Sequence, residues 1–417
     1  MAPEHRISFT KLSQREADAI AVRHEMLFAG RMGGARAVFA FCDLTGLDLS
    51  GHNLSDADFT GAILEETDLS GARLDSASFF GADLRRANLT GASLRRADLR
   101  GASLRGANLI GADLYESDFR EGAIAEKDRN GNLHLLQHEV GPAELPAAML
   151  HSANLERAKM SGAMAMQADF TDAVMKGCVL TRANLRQARL CGANLEGAEL
   201  SGCNMAGADL SGAVLVGARL NNTVLDGADM TGVLDAPTEF PPEVIKDLRA
   251  RLDAHARWAE TEGREGQPSE FAGVDLRPLG SLAYRKLTAL IAPGAVFYGL
   301  NLEGCSLQGS NLNGADLRSA RLSGADLRGA NLSRAKLGNA DLRDARLGPL
   351  LITQDRLLPA RLEGSQARYA DFRGAELRRA RFDNADLCYA NFTGADLRDA
   401  IFSGSTTAGA RLPAAKG

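Results

Sequence analysis

A five-residue unit, Ala-Asp/Asn-Leu-x-Gly, recurs along most of the chain, as in Ala82-Asp83-Leu84, Ala107-Asn108-Leu109 and Ala325-Asp326-Leu327. Phe takes the Leu position at residues 39, 59, 79 and 119, always in steps of 20 or a multiple of it. A five-step nested in a twenty-step means that four units close one turn of a solenoid, so the period is read before any domain arithmetic. With the Leu/Phe position as the centre of each unit, three runs emerge: Phe39 to Ile124, Leu150 to Met230 and Phe297 to Phe402, the last irregular between Gly348 and Pro359. Ala165 and Ala367 are small centres, where the inward column is expected to be underfilled or bent. Aromatics are only 5% of the residues while Gly numbers 44, which suits a narrow interior filled by small and leucine-sized groups.

This pattern, sustained over dozens of units, resembles the pentapeptide-repeat family. The resemblance implies a right-handed, four-sided β-helix with one pentapeptide per face. The centre and the small residue two before it point inward, and the other three point outward. The expected fold class is an all-β solenoid: two right-handed quadrilateral β-helices with short α-helical caps. The residues agree with it. Phe39, Phe59, Phe79 and Phe119 would stack on one face with Leu99 in the gap; Phe372 and Phe392 would share one face, and Phe382 and Phe402 the opposite one.

Such arrays need capped ends, because an open end exposes unpaired backbone and apolar centres. Ser13 and Glu16 make a capping-box pattern ahead of a helix carrying Ile20, Leu27 and Phe28 and ended by Gly30. A second helix starts near Pro241-Pro242, carries Val244, Leu248, Leu252 and Trp258, and ends at Gly263. The two look like copies: His24 lies 15 residues before Phe39, and His255 lies 16 before Phe271. Each His is expected to satisfy backbone groups at an array's end. A third helix is expected from about Ser281 to Ile291. The predicted organisation is a helical cap over 1–36, a β-helix over 37–235 with a hairpin insertion at 125–147, and a helical linker over 236–294. A second β-helix follows over 295–404, then a flexible tail over 405–417.

The insertion carries Asn130-Gly131 between Glu126-Lys127-Asp128 and Leu133-His134-Leu135-Leu136, a hairpin signal. The array is expected to resume on the same axis with this hairpin projecting from its side. Its Lys127, Asp128, Arg129, Asn130, Asn132 and His134 are candidate partner-binding residues. Charge adds a second candidate. Residues 42–76 are net −7, residues 77–111 net +4, and residues 292–412 net +3. Residues 20 apart tend to carry opposite charges: Glu65 and Arg85, Asp75 and Arg95, Asp316 and Lys336, Arg321 with Asp341 and then Arg361, Asp326 and Arg346. Arg378 over Arg398 and Arg361 over Arg381 are like-charged exceptions, read as a small basic patch for an anionic partner.

Catalytic signatures do not emerge: the chain holds no phosphate loop, no H-E-x-x-H, no dinucleotide fingerprint and no nucleophile elbow. No C-x-x-C occurs, and Cys42, Cys178, Cys203 and Cys305 stand where the repeat has its small Ala, so they read as reduced, buried substitutes. No cofactor or metal is implied, and no targeting or membrane-spanning segment is visible, which suits a cytoplasmic protein. The expected function is non-enzymatic binding or scaffolding of a protein partner, without direct contact to nucleic acid or membrane. The family resemblance supplies an alternative, since some of its members mimic DNA, bind type II topoisomerases and confer quinolone or albicidin resistance. A second alternative is an accessory or regulatory subunit of an enzyme complex.

Overall fold

The computed structural model describes residues 9–122, 125–127, 133–135, 141–236, 240–353 and 356–413. The chain divides into two compact units, residues 1–236 and 237–417. Each has its own continuous hydrophobic core.

The pentapeptide explains the local structure. At each centre the chain turns: the N–H of Ala62 donates to the carbonyl of Phe59 at 3.0 Å, and Gly61 between them has φ 63°, the left-handed conformation that such a turn demands. The residue before the centre bridges to the coils below and above. Asp58, for example, pairs in parallel with Val38 and with Ser78. Its carboxylate also accepts the N–H of Thr60 at 3.0 Å. This Asx turn recurs at Asp68, Asp169, Asp209 and Asn331, which is why the repeat favours Asp or Asn there. The centre and the small residue two before it are buried through the body of each array, for example Leu84 with Ala82 and Leu327 with Ala325, and only partly so in the last coils, as at Leu220, Leu225, Leu397 and Phe402.

The first unit is a ladder of parallel bridges 20 residues apart from Val38 to Leu234. The rings of Phe39, Phe59 and Phe79 stack at 5.0 and 4.8 Å, matching the ~4.8 Å separation of hydrogen-bonded strands. Between Ser103 and Glu144 the bridge step is 41 instead of 20, and the ladder then continues on the same columns. Twenty-one residues therefore leave the coil. Within them β3 (Ala125–Lys127) pairs antiparallel with β4 (Leu133–Leu135), Lys127 opposite Leu133. The array resumes on its own axis, one unit earlier than the sequence pattern suggests: Leu145 is already a buried centre. Ile124, expected as the last centre before the gap, lies outside the described residues. Ala165 and Ala367 do not interrupt their columns; both are buried, and their N–H groups donate to Asn184 and Asp386 at 2.8 and 2.7 Å.

The second unit runs from the Glu270–Ile291 bridge to the Asn391–Arg411 bridge, with Phe372 stacked on Phe392 and Phe382 on Phe402 at 4.8 and 5.0 Å. The two stacks meet edge to face at 5.9 Å across the core. Three expectations are corrected here. Ser281–Ile291 is not a helix but coil, bridging Ser281 to Asn301 and Ile291 to Asn311. Its centres, Leu282 and Leu287, keep the five-step, but Arg285 and Leu290 occupy the usual Ala positions and disguise it. The second array therefore starts near residue 270 rather than 295, and it extends to Arg411 rather than ending at 404. The irregular stretch is a second hairpin, β5 (Leu350–Thr353) paired antiparallel with β6 (Arg356–Leu358). It lengthens the bridge step from Asn331 to Arg361 to 30 residues.

Each unit has one capping helix. In the first, β1 (Thr10–Lys11) pairs in parallel with β2 (Cys42–Asp43) and leads into α1 (Gln14–Phe28). The Glu16 carboxylate accepts the Ser13 N–H at 2.8 Å and its hydroxyl at 2.7 Å, as the capping box predicts. Ala17, Ala21 and His24 form the buried stripe, and Leu27 and Phe28 stay half-exposed. In the second, α2 (Pro242–Glu260) buries Leu248, Leu252 and His255 at the same i, i+4, i+7 spacing. The copied His residues do the copied work. His24 accepts the N–H of Ala37 at Nδ1 (3.0 Å) and donates from Nε2 to the carbonyl of Ser55 (2.8 Å). His255 accepts from Ser269 (3.1 Å) and donates to Thr288 (3.1 Å). Arg285 uses its Ala position to reach Asp253 on α2 at 2.6 Å.

Candidate partner-binding site

Of the predicted hairpin residues, Lys127 lies on β3 and His134 on β4, opposite Glu126, although their side chains are not described. Asp128, Arg129, Asn130 and Asn132 fall outside the described residues. The strands β3 and β4 thus lie within the stretch that leaves the coil of the first unit.

The predicted basic patch is corrected. Arg361 and Arg381 do face each other across adjacent coils, but both reach Glu363 at 3.4 Å, and Arg381 also reaches Asp383 at 3.3 Å. Arg398 is paired with Asp396 at 2.6 Å, and Arg378 lies 3.6 Å from Asp399. All four cations have carboxylate partners, most of them within the same or the adjacent unit, which a comparison at spacing 20 overlooks.

Pairing two residues apart is the rule that sequence reading missed. The two arrays hold nine Asp-Leu/Phe-Arg triplets, starting at Asp83, Asp98, Asp118, Asp275, Asp316, Asp326, Asp341, Asp371 and Asp396. In every one the Arg guanidinium binds the Asp carboxylate, at 2.5–2.8 Å. The carboxylate thereby caps its own turn and holds a cation with the same two oxygens, the fork-on-fork geometry that favours Arg over Lys. Of the expected pairs 20 apart, Glu65–Arg85 (3.2 Å) and Asp326–Arg346 (3.4 Å) form. Arg95 instead sends its guanidinium to Asp113 at 2.7 Å, and Arg321 turns to Glu303 at 3.4 Å. Asp316 takes Arg318 rather than Lys336. Asp341 stacks on Asp371, not Arg361, because the second hairpin shifts the numbering by ten.

A groove of about 660 Å³ runs along the first unit at Arg96, Asp98, Arg100, Glu116, Arg157 and Lys159. Arg96 and Arg157 share Glu116, at 2.9 and 3.7 Å, and Arg100 holds Asp98. Its three arginines thus all have carboxylate partners. Three of the cysteines are part of the core. Cys178, Cys203 and Cys305 are fully buried, and burial pushes the Cys203 and Cys305 thiols up to about 12 and about 11. The Sγ of Cys203 and of Cys305 each lies 2.6 Å from the carbonyl 23 residues earlier, as the Thr67 hydroxyl lies 2.9 Å from that of Leu44. They serve as polar stand-ins for Ala. Among the described residues no cluster of His, Cys, Asp and Glu could hold a metal ion, and no helix is long and apolar enough to cross a membrane.

The second hairpin is the surface that sequence reading did not find. Leu350 and Leu358 lie on the coil at Gly329, where an added Cβ would stand 2.7 Å from the Leu350 Cβ. Leu351, Ile352 and Leu357 face out, 63%, 48% and 43% exposed, and Leu351 and Leu357 are cross-strand partners. Gly329 has φ 68°, so Gly329→Val adds backbone strain of roughly 1–3 kcal/mol to the clash and is expected to lift the hairpin off the coil. Limited trypsinolysis would show it as faster cleavage after Arg356; an unchanged rate would refute the seating.

Eight stretches of the chain, residues 37–75, 53–91, 82–120, 168–207, 203–233, 295–334, 310–348 and 360–404, match pentapeptide repeats. They cover more than half of the sequence, and the chain belongs to the pentapeptide-repeat family, whose fold is the right-handed β-helix. Among solved structures it is similar to HetL, a pentapeptide repeat protein involved in heterocyst differentiation regulation from the cyanobacterium Nostoc sp. strain PCC 7120. The identity is 25% over 76% of this chain and 89% of that one, with a TM-score of 0.25. Rfr23 from the cyanobacterium Cyanothece 51142 is 28% identical over 32% of this chain and 90% of its own, with a TM-score of 0.27. QnrB1, a plasmid-mediated fluoroquinolone resistance protein, is 20% identical over 51% and 95%, with a TM-score of 0.25. No curated protein gives a match.

Proposed function

We propose that this chain is a non-enzymatic scaffold built of two right-handed, four-sided β-helices, each closed by one helix, that engages a protein partner in the cytoplasm through the hairpins on its sides. The observation that carries the reading is the second hairpin, which is seated on Gly329 by two leucines while Leu351, Ile352 and Leu357 stay in solvent. Apolar side chains held outward on a short, anchored hairpin suit burial against another protein. The filled interior supports the same reading, since each coil's inward positions are occupied by Leu, Phe and Ala.

The coil geometry permits a clean test. Deleting Pro349 to Leu358 brings Leu347 and Leu362 to a five-residue spacing, and deleting Gly122 to Pro142 does the same for Phe119 and Leu145. Both variants are expected to keep the far-UV spectrum and cooperative unfolding of the parent. The first should lose a defined protein captured by the full chain from lysate, with Leu351→Asp reproducing the loss. Identical capture by parent and both deletions would overturn the proposal. A topoisomerase-binding DNA mimic requires carboxylates left unpaired along one face, whereas the nine Asp-Arg triplets neutralise theirs. The expected result of a gyrase supercoiling assay is accordingly no inhibition at micromolar protein.

A further inference from the structure

We propose that His24 and His255 are paired proton-sensitive latches, and that mild acid opens the helical cap at the start of both arrays. The case rests on one geometry built twice. Each imidazole is fully buried, on the last turn of a helical stripe whose other members are Ala17 and Ala21 or Leu248 and Leu252. At Nδ1 each accepts a backbone N–H from the segment leading into the first coil, Ala37 or Ser269, and at Nε2 each donates to a coil carbonyl, Ser55 or Thr288. A ring that accepts at one nitrogen and donates at the other is neutral by construction. Protonation removes the Nδ1 lone pair, sets two N–H groups against each other, leaves the Ala37 or Ser269 donor unpaired in a buried site, and places a charge there.

Two nearby carboxylates, Glu25 and Asp253, are already engaged by other partners. On the elements packed around His24 the titratable and charged groups are Arg23 and Glu25 on α1, Arg36 beside Ala37, and His52, Asp56 and Asp58 around Ser55. Glu25 is already engaged, accepting from the His52 ring at 2.9 Å and the Asn53 N–H at 3.1 Å. Burial works to raise its carboxyl, but the bonds from His52 and Asn53, together with the nearby imidazoles of His52 and His24, outweigh it and hold Glu25 below the ordinary range. Around His255 stand Arg251, Asp253 and Arg257 on α2, Glu270 beside Ser269, and Arg285 and Lys286 on the coil of Thr288. Asp253 is held by Arg285 and the Trp258 ring covers one side at 5.5 Å. Burial lowers the His255 pKa despite its bond to Thr288. The sign follows. With the His255 pKa lowered, the closed α2 cap binds fewer protons than the open one below the ordinary imidazole value of ~6.5, so its closure is fully stable above that value and weakens as pH falls through it.

Opening would uncover the leading edges of the first coils, at Phe39 and Phe271, and expose unpaired backbone of the kind that attracts another strand. The test is hydrogen exchange by mass spectrometry on the full chain at pH 7.5 and 5.0, normalised for intrinsic rates. Peptides over 14–28 and 242–260 are expected to lose at least tenfold protection at pH 5.0, while those over 60–110 and 300–345 do not change. In the double variant His24→Gln/His255→Gln, whose amides can still accept and donate but cannot titrate, that loss should vanish. Equal protection of the caps at both pH values would overturn the proposal, as would the same acid loss in the Gln variant. Should the Gln variant fold poorly, imidazole ¹⁵N shifts of the parent decide: both rings must be charged at pH 5.0 where the caps are open, and charged rings under closed caps would refute the latch.

Discussion

Replacing Phe79 with Asp is expected to unfold the first unit. Phe79 is fully buried and lies flat against Phe59, ring centres 4.8 Å apart. Deleting a buried Phe costs about 3–5 kcal/mol, and stacking adds about 0.5–1.5. The carboxylate that replaces it has no cation inside the coil, and an unpaired buried charge costs several kcal/mol more. Together these rival the roughly 5–15 kcal/mol that hold a typical domain folded. Solenoid geometry worsens the loss, because each coil is stabilised only by its neighbours and just two coils separate Phe79 from the α1 cap. Phe79→Leu is the control, since Leu99 already fills the next place in the same column; its cost is expected to be about 1–2 kcal/mol. Urea unfolding followed by far-UV dichroism reads both, and the emission of the single tryptophan, Trp258 on α2, follows the second unit separately. An unchanged midpoint for Phe79→Asp would refute the inward column.

The inward columns were legible because they depend on one local rule repeated many times, so a single Phe at spacing 20 reports on the whole array. The caps were legible for a related reason: Ser13 with Glu16, and His at matching distances before Phe39 and Phe271, are short-range signals. What escaped were the places where the rule is broken. Arg285 and Leu290 in Ala positions hid coil behind helix-like spacing, and the Leu-rich stretch after Gly348 hid a hairpin among apparent repeats. The hairpin also shifts the register of the numbering by ten residues, so that Asp341 stacks on Asp371 instead of Arg361. Surface charge suffered from a different bias. Arg, with a side chain long enough to fold back, finds its own unit's Asp two residues earlier rather than a carboxylate one coil away. The nine Asp-Leu/Phe-Arg triplets were visible in the sequence; their chemistry needed the turn geometry that aims both side chains along the same face.

That geometry sets up the second large effect, which depends on where in the arrays a triplet sits. Asp316 and Arg318 form the most enclosed of these pairs with Asp275 and Arg277, their side chains only 12% and 11% exposed and 2.6 Å apart. Asp316→Ala removes the carboxylate that the Arg318 guanidinium holds in a nearly closed site and also the acceptor of the Arg318 N–H, which Asp316 holds at 3.2 Å. Breaking a buried pair on one side costs about 3–5 kcal/mol; the residual exposure reduces this, and the expected loss is about 2–4 kcal/mol. The same change at Asp396, whose partner Arg398 is 72% exposed, should cost under about 1 kcal/mol. The bonds donated by Arg398 hold the Asp396 carboxyl down to about 2, so this small contribution is present above the ordinary carboxylate range and disappears only as pH falls toward that value. Salt separates the two sites further. At 1 M ionic strength, where the screening length is about 3 Å, the Asp396→Ala effect should vanish and the Asp316→Ala effect persist. Adding Arg318→Ala to Asp316→Ala should recover part of the stability, because it removes an enclosed cation whose carboxylate partner at residue 316 is already gone. Equal costs at the two sites in urea unfolding would mean that burial does not govern these pairs, and a double variant no better than the single would show that the turn, not the ion pair, is what Asp316 supports.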